Sequence, residues 1–497
     1  MFIIYPNQLF PIENLTRHNK KTFFIVEDIA HFSRFKFHKH KIVLELAAMR
    51  SYAESLQKKG FRVHYEKVSG KTDERFEDKL KNFVHNNSIT EITTFEIENR
   101  QQEKKLIELS KELKLKLKFE DSPMFLTNRS EFKTYLNTVE EAGGRPFMRT
   151  FYQGRRKKLR ILTNKKGEPA GGQFSYENLN PMRLPRDFKP DEPPEQKLSV
   201  IVQEVMKLVE DLFEKNPGDV KDFFWPTTRE QALGWLDDFV NQRLIRFGDY
   251  EDSLANHSDF IFHSALSPLL NLGLITPLEV IHQALGSAEK NEIPLQSLES
   301  FIRQTLGWRE YIRGIYQGYG DELPGSNFFK HIRKLKPCWH DGTTGLPFLD
   351  ECIKKAQRLS YNHHVERLMI LSNVFLLCEV SPHEVFRWFT EMHLDSADWV
   401  TVPNVYGLGQ YSDGGLVGTR PYICGSAYIR KMGNYPDGPW CDILDGLFWS
   451  FIEKHKDVFA ENPRISVALP ALRKLDPDRK KKIFAEAASF RDRVTTV

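Results

Sequence analysis

The first 120 residues alternate short apolar runs with amphipathic stretches. Five apolar runs predict β-strands, at residues 2–5, 21–28, 61–68, 91–97 and 115–121. The stretches between them predict helices at 39–60, 73–87 and 98–113, because apolar residues recur there near helical spacing. Strands that alternate with helices predict a parallel, doubly wound sheet. No GxGxxG follows the first strand, so the usual dinucleotide fingerprint is missing.

From about residue 200 the apolar positions follow helical periodicity. Helices are predicted at 198–215, 229–243, 276–285, 296–318, 347–358, 360–378, 382–392 and 443–454. Before them lies a strongly basic run, GRRKKLR, and then a stretch rich in Pro, Gly and Asn that predicts a surface connector. The pattern predicts an α/β domain (1–125), a basic, Pro/Gly-rich linker (126–200) and a larger all-α domain (201–497).

Composition narrows the class of protein. The 497 residues are 40% hydrophobic, which suits a large globular core, and no run approaches the ~18 apolar residues of a membrane span. The start of the chain lacks the features of a secretory signal. Five scattered cysteines without a CxxC favour a reducing, cytoplasmic location and argue against a zinc site. The net charge of +4 is compatible with a polyanionic partner but close to balance.

Two stretches in the helical half combine groups that could bind a phosphate or a base. Ser264 and Ser267, with Pro268 next, predict a helix start that either binds phosphate or is simply N-capped. Trp308 and Arg309 could stack on an unpaired base and contact its phosphate. The other interpretation of these two residues is a tryptophan-anchored core helix with ion pairs at its flanks.

The stretch YNHHVERLM places two adjacent histidines, His363 and His364, three residues before Arg367. Neighbouring side chains on a helix point about 100° apart. The pair is therefore either one core and one surface histidine, or it includes a proton donor beside a cofactor. The segment 393–435 is long, loop-like and rich in glycine and aromatic residues, which favours a functional loop.

These stretches, in this order, resemble the photolyase/cryptochrome family. The matching pieces include HSALS, FIRQTLGWREYIRGIY, TGLPFLDE, YNHHVERLM, HLDSADW and GTRPY. They are most similar to the prokaryotic branch of iron–sulfur (6-4) photolyases and photolyase-related proteins, over most of the chain except 125–230. The resemblance implies a Rossmann-like domain and a larger helical domain that binds FAD. It also implies light-driven repair of UV-damaged DNA by a monomer.

The resemblance assigns roles to individual residues. Ser264, Leu266 and Ser267 would hold the FAD phosphates, Arg367 and Asp395 would form an ion pair beside the isoalloxazine ring, and Asn404 would lie near its N5. His364 would be the proton donor for a (6-4) lesion, with His363 as its partner. The residues that would contact the lesion are Trp308, Arg309 and Tyr422. Trp339 fits the first residue of the branch's route of electrons to the flavin, and Trp388, Trp399 or Tyr406 could serve as its later members.

The sequence departs from the branch at three places. Phe348 stands at the position of the first cluster cysteine, so we expect no iron–sulfur cluster, which needs four ligands. The tyrosines of the branch's electron route appear here as Phe389 and Ala397. His31 and Arg34 stand near the positions that contact a lumazine-type antenna in the branch. These residues change the chemistry of that pocket, so the sequence does not decide whether an antenna binds.

The residues leave the reaction open between three functions. A (6-4) photolyase is the leading interpretation because the histidine pair is retained. A cryptochrome-like photoreceptor that signals to a protein partner is the second. A cyclobutane-dimer photolyase is the third, since that reaction does not need the histidine donor.

Overall fold

Five parallel strands form the sheet that the apolar runs predict. The computed structural model describes residues 1–70, 74–176 and 182–497. The strands are β1 (Phe2–Ile3), β2 (Thr22–Val26), β3 (Arg62–Glu66), β4 (Glu91–Phe95) and β5 (Lys116–Glu120). They pair in parallel in the order β3-β2-β1-β4-β5. The strand order reverses at β1, so the sheet is doubly wound and the predicted α/β fold is confirmed.

The helices confirm the predicted change from α/β to all-α structure along the chain. The α-helices of the described residues are α1 (Ile29–Ser33), α2 (Lys39–Lys58), α3 (Phe76–Asn86), α4 (Arg100–Glu112), α5 (Arg129–Glu141), α6 (Met148–Leu159), α7 (Val200–Leu212), α8 (Arg229–Asp238), α9 (Leu244–Tyr250), α10 (Ser267–Leu272), α11 (Pro277–Asn291), α12 (Leu295–Ile302), α13 (Arg309–Tyr319), α14 (Cys338–Asp341), α15 (Pro347–Leu359), α16 (Asn373–Leu377), α17 (Pro382–Met392), α18 (Asp398–Val402), α19 (Ser426–Met432), α20 (Pro439–Lys454), α21 (Lys456–Glu461), α22 (Ala468–Arg473) and α23 (Pro477–Val494). Two short strands, β6 (Lys334–Leu335) and β7 (Thr495–Thr496), pair antiparallel. No helix of the described residues is long and apolar enough to cross a bilayer.

Several helices of the second half are interrupted by π-helical turns. These lie at Phe239–Arg243, Arg303–Trp308, Glu366–Ser372 and Pro403–Gly409. A π-turn inserts an extra residue and re-aims the side chains around it, which is why such turns recur at functional sites. Three of the predicted site residues, Trp308, Arg367 and Asn404, stand on them.

The predicted linker is only partly a connector. Helices α5 and α6 occupy its first part, and α6 contains most of the basic run GRRKKLR. Arg155 donates to Leu126 O (2.6 Å) and pairs with Glu131 (3.0 Å), while buried Arg156 donates to backbone carbonyls. Both arginines donate hydrogen bonds inside the protein. A sequence pattern that treats them as solvent-exposed therefore does not predict this helix. Residues 182–196 carry no helix or strand, and 177–181 lie outside the described residues.

Charged contacts fix the sheet against the helical half of the chain. Arg313 of α13 reaches Glu96 (3.2 Å) and Glu98 (3.0 Å), just beyond β4, and its side chain is 2% exposed. Arg34 forms a two-bond pair with Asp398 at the start of α18 (2.9 and 3.2 Å). These contacts hold α13 and α18 against the α/β domain, and both helices lie next to π-turns that carry site residues.

Candidate functional site

Arg367 and Asp395 form the ion pair that the resemblance implies. The guanidinium donates to both carboxylate oxygens (2.9 and 3.0 Å), and its Nε donates to the carbonyl of Asn362 (2.7 Å). Asp395 is 7% exposed and the Arg367 side chain 25%. Burial would raise the pKa of Asp395, but the neighbouring guanidinium outweighs it and holds the pKa below its usual value. The pair therefore presents a cation whose orientation is fixed by hydrogen bonds.

Ser267 joins this pair from another element. Its hydroxyl donates to Asp395 Oδ2 (2.6 Å), and Asn271 donates to the backbone carbonyl of Asp395 (2.8 Å). The Ser267 side chain does not cap α10, so the simple N-capping interpretation is wrong for it. Leu266 is buried in the core, and the carbonyl of half-buried Ser264 accepts from the Trp235 indole (2.9 Å). Of the three predicted phosphate ligands, only Ser267 touches the ion pair.

The two adjacent histidines point into different environments. His363 is 1% exposed and stacks on His263, with ring centroids 4.4 Å apart. Burial lowers its pKa well below the usual value, with His263 adding to the effect. Neither of its ring nitrogens makes a hydrogen bond within the described residues, although Nε2 lies 3.5 Å from the Glu366 carboxylate. His363 is therefore a core residue, and no hydrogen bond of the described structure connects it to His364.

His364, in contrast, is exposed, yet the protein around it desolvates it strongly. This burial, together with the positive charges of Arg367 and Arg303, lowers its pKa to about 4. His364 therefore faces solvent close to the positive charges of Arg367 and Arg303. We call the surroundings of His364, Arg367, Asp395 and Ser267 the recess.

The predicted lesion contacts divide between two places. Trp308 is half-buried on its π-turn and packs edge-on against Tyr311 (6.3 Å). Arg309 donates to the carbonyl of Met124 (2.6 Å), and its guanidinium lies 4.3 Å from the Phe125 ring and 5.0 Å from the Trp399 ring. These contacts place Arg309 in the packing between the two halves of the chain, not in contact with the residues that bound the recess.

The remaining predicted contacts lie on the loop side of the site. Tyr422 is half-buried, with the Arg420 guanidinium 5.4 Å from its ring. Asn404 is half-buried on its π-turn and donates to Val400 O (2.7 Å). Their predicted roles toward a lesion and a flavin stay predictions.

Trp339 and Trp388 belong to one buried aromatic cluster. Trp339 stacks on Phe375 (4.3 Å), Phe375 lies 5.4 Å from Trp388, and the Trp388 indole donates to Trp339 O (2.8 Å). Trp388 also contacts His393 (5.7 Å). The cluster thus extends toward the recess, because His393 is hydrogen-bonded to the side chain of Asn362 (3.0 Å), whose carbonyl receives the Arg367 donor.

Sequence reasoning missed Asn362 and His393. Both are buried and connect the ion pair to the tryptophan cluster. Both lie in short connections just outside helices, where no local pattern distinguishes them. Only the contact across 31 positions between Asn362 and His393 reveals their place in the site.

Aromatic packing occupies the neighbourhood of the expected cluster position. Phe348 is fully buried, and its ring lies 5.2 Å from that of Trp440 and 6.1 Å from that of Tyr435. Within the described residues, no group of three or more His, Cys, Asp or Glu side chains could hold a metal ion. The absence of an iron–sulfur cluster stays a prediction.

The possible antenna contacts are engaged in other interactions. His31 is hydrogen-bonded to Glu45 (3.0 Å), and Arg34 is committed to Asp398. Neither side chain is oriented by the described contacts toward a ligand, so an antenna at this position also stays a prediction.

The residues of the recess fit a flavin. A flavin that donates electrons carries negative charge on its ring, and Arg367 offers a cation whose orientation is fixed by two bonds to Asp395. The remaining exposed fraction of Arg367 leaves its guanidinium accessible from the recess. This donor chemistry suits the isoalloxazine end of FAD. The assignment of residues to the FAD phosphates rests on the family resemblance.

Comparison with known proteins places the chain. A family model described as "Deoxyribodipyrimidine photo-lyase-related protein" matches residues 2–225. A (6-4) photolyase of Agrobacterium fabrum is 30% identical over 511 residues, which cover 99% of this chain and 98% of that protein.

Solved structures share the fold. A bacterial class III photolyase from Agrobacterium tumefaciens superposes with a TM-score of 0.59 at 16% identity, covering 99% of this chain and 98% of that one. A Synechocystis cryptochrome superposes with a TM-score of 0.56 at 14% identity, with the same coverage. Identities this low show the fold alone, whereas the full-length relative shows the family. The chain belongs to the photolyase-related branch of the photolyase/cryptochrome family.

Proposed function

We propose that this protein is a light-driven DNA photolyase that binds FAD and repairs the (6-4) class of UV photoproduct. The observation that carries the proposal is the Arg367–Asp395 ion pair beside the accessible His364. The ion pair suits a reduced flavin, and the His364 imidazole suits proton transfer. The full-length similarity to a (6-4) photolyase supports the same conclusion.

FAD would bind in the recess with its ring beside Arg367. When bound, reduced and excited by light, FAD supplies the electron that the lesion accepts. Asp395 fixes the guanidinium through two bonds, and the Ser267 hydroxyl holds Asp395 in turn. The chain's contribution is thus an oriented cation that needs no rearrangement when negative charge develops.

His364 would move the proton. An imidazole is the side chain best suited to proton transfer near neutral pH. Burial and the charges of two arginines lower the pKa of His364 to about 4, so this imidazole is neutral near pH 7 before substrate binds. An anionic lesion and its phosphates would counter Arg367 and Arg303 and raise that pKa. The imidazole would then take up a proton as the substrate enters and donate it from a ring nitrogen to the lesion.

Trp388 and Trp339 would supply electrons to the flavin. Both indoles lie within one set of aromatic contacts, and Trp388 reaches His393 on the side of the recess. Indoles are oxidisable, whereas the Phe375 ring contributes only packing contacts with both tryptophans.

Light-dependent repair of defined oligonucleotides tests the proposal. The purified protein, with its flavin reduced, is illuminated with blue light together with one oligonucleotide that carries a (6-4) lesion or one that carries a cyclobutane dimer. Loss of the (6-4) lesion only in the light supports the proposal. Repair of the cyclobutane dimer alone would assign the other photolyase reaction, and repair of neither would favour a photoreceptor.

A further inference from the structure

The segment 145–166 concentrates positive charge. It contains nine Lys or Arg residues and no Asp or Glu: Arg145, Arg149, Arg155, Arg156, Lys157, Lys158, Arg160, Lys165 and Lys166. The formal net charge of the entire chain is only +4, so the rest of the chain is net negative. The positive charge is therefore a local feature of α6 and the turn that follows it.

Most of these cations face solvent. Arg155 and Arg156 are buried and hydrogen-bonded within the protein, but the other seven are exposed. Lys158 pairs with Glu131. Arg149, Arg160 and Lys165 make no side-chain hydrogen bond or ion pair within the residues that the structure describes. Exposed cations without internal partners contribute little to stability and leave their charge available to a ligand.

This basic face continues into the element that carries Trp308. The Tyr311 hydroxyl donates to Pro146 O (3.1 Å), and Gly307 leaves so little space that an added Cβ would lie 3.1 Å from Met148 Sδ. Phe147, at the start of α6, is 39% exposed beneath the Arg145 guanidinium (5.1 Å). The basic face therefore carries an exposed aromatic ring, and its helix packs against the element that bears the predicted lesion contact.

We propose that the exposed face of α6 and its following turn, from Arg145 to Lys166, binds the phosphate backbone of a DNA strand that flanks the recess. Phe147 stacks on an unpaired base at the near end. The choice of DNA, rather than another polyanion, rests on the proposed function. Each phosphate contact releases condensed counterions, so binding to this face weakens as salt rises.

The test measures binding to undamaged duplex DNA across a series of salt concentrations. The triple variant Arg149→Gln, Arg160→Gln and Lys165→Gln should lower the slope of log K against log salt by about 0.9 for each phosphate that it no longer neutralises, or ~2–3 in total. The matched control neutralises three exposed cations elsewhere, Arg473→Gln, Lys474→Gln and Lys481→Gln, and should keep the wild-type slope. Equal slopes for the wild type and the α6 variant would overturn the proposal.

Two further measurements identify the ligand. Phe147→Ala should weaken binding to DNA with a bulged base by about tenfold while sparing perfect duplex; an equal effect on both would remove the stacking role. A loss of binding to anionic vesicles by the triple variant, with DNA binding unchanged, would overturn the choice of DNA. Repair of an isolated lesion dinucleotide has no flanking phosphates, so the α6 variant should retain it. Failure of the wild type on that dinucleotide would count against the proposed function and leave the salt test valid.

Discussion

Asp395 is held by four hydrogen bonds from three residues on two other elements of the chain. Arg367 supplies two bonds and Ser267 a third, while Asn271 holds its backbone. Its carboxylate therefore orients the cation of the recess and is itself a buried charge that depends on its partner. Removing such a partner destabilises more than the pair contributes in itself.

Asp395→Asn tests this arrangement. It should lower the flavin content of the purified protein strongly and cost ~1–3 kcal/mol, less than a fully buried pair because Arg367 is partly exposed. The lowered pKa means that the carboxylate's contribution is complete above its ordinary pKa and is lost as pH falls through the folded one. Flavin absorbance and urea unfolding measure both effects. Asp492→Asn, in an exposed pair with Arg333, is the control and should change stability by less than about 1 kcal/mol.

Alanine substitutions separate the two adjacent histidines. His364→Ala should abolish (6-4) repair while the protein keeps its flavin, because only this imidazole is accessible from the recess. His363→Ala should instead destabilise the fold by about 1–3 kcal/mol because it removes the packing against His263. Repair assays and urea unfolding of both variants provide the comparison. Unchanged repair by His364→Ala would exclude it as the proton donor.

The α/β strands and most helices could be predicted from the sequence because burial imposes a period on apolar residues. All five predicted strands pair as expected, and the prediction at 296–318 matches a continuous helical run from α12 through α13. The pattern predicts neither α5 nor α6. In α6, buried Arg155 and Arg156 occupy positions where the pattern expects apolar side chains. The π-turns were also missed, since one inserted residue hardly alters the apolar period.

The candidate site depended on the family resemblance more than on periodicity. Arg367 and Asp395 are 28 residues apart and lie on different elements, so no local pattern connects them. Conversely, the resemblance placed Arg309 with the lesion contacts, whereas its surroundings are Met124, Phe125 and Trp399. A matching motif predicts which side chain stands at a position. The residues packed around that side chain decide where it points.

The end of α15 that bears Phe348 packs as an aromatic core against α20. We expect iron analysis of the purified protein to find no stoichiometric iron, because the aromatic contacts of Phe348, Tyr435 and Trp440 occupy the space. Phe348→Ala should cost ~3–5 kcal/mol by opening a cavity in this buried position. Close to four iron atoms per chain would contradict the prediction.

Helix α17 carries the proposed electron route. Trp388→Phe should slow the photoreduction of bound FAD, since phenylalanine preserves the packing but is not readily oxidised. The control is Trp449→Phe, which removes a partly buried indole that packs against Phe448 in a different aromatic group. Absorbance changes under steady blue light give the rates. Equal photoreduction rates in the wild type and Trp388→Phe would exclude this indole from the route.

Three histidines are buried in the helical half around the recess, and all are held neutral. Burial lowers the pKa of His263 to about 3 and the pKa values of His363 and His393 well below the usual value. The unfolded chain binds protons at these residues below about pH 6.5, whereas the folded protein does not. Their contribution to stability is therefore complete above pH 6.5 and declines as pH falls toward the folded pKa values.

Unfolding measured as a function of pH tests this coupling across the fold. Between pH 6 and pH 5 the free energy of unfolding should fall by up to about 1.4 kcal/mol per pH unit for each of the three histidines. His363→Gln removes one of these titrating groups, so its slope should be shallower than that of the wild type by one such increment. Urea titrations at half-unit pH intervals give the slopes. A wild-type stability that stays flat from pH 7 to pH 5 would mean that these imidazoles are protonated in the folded protein, which their surroundings disfavour: His263 and His363 stack face to face, and His393 lies between Phe389 and Trp388.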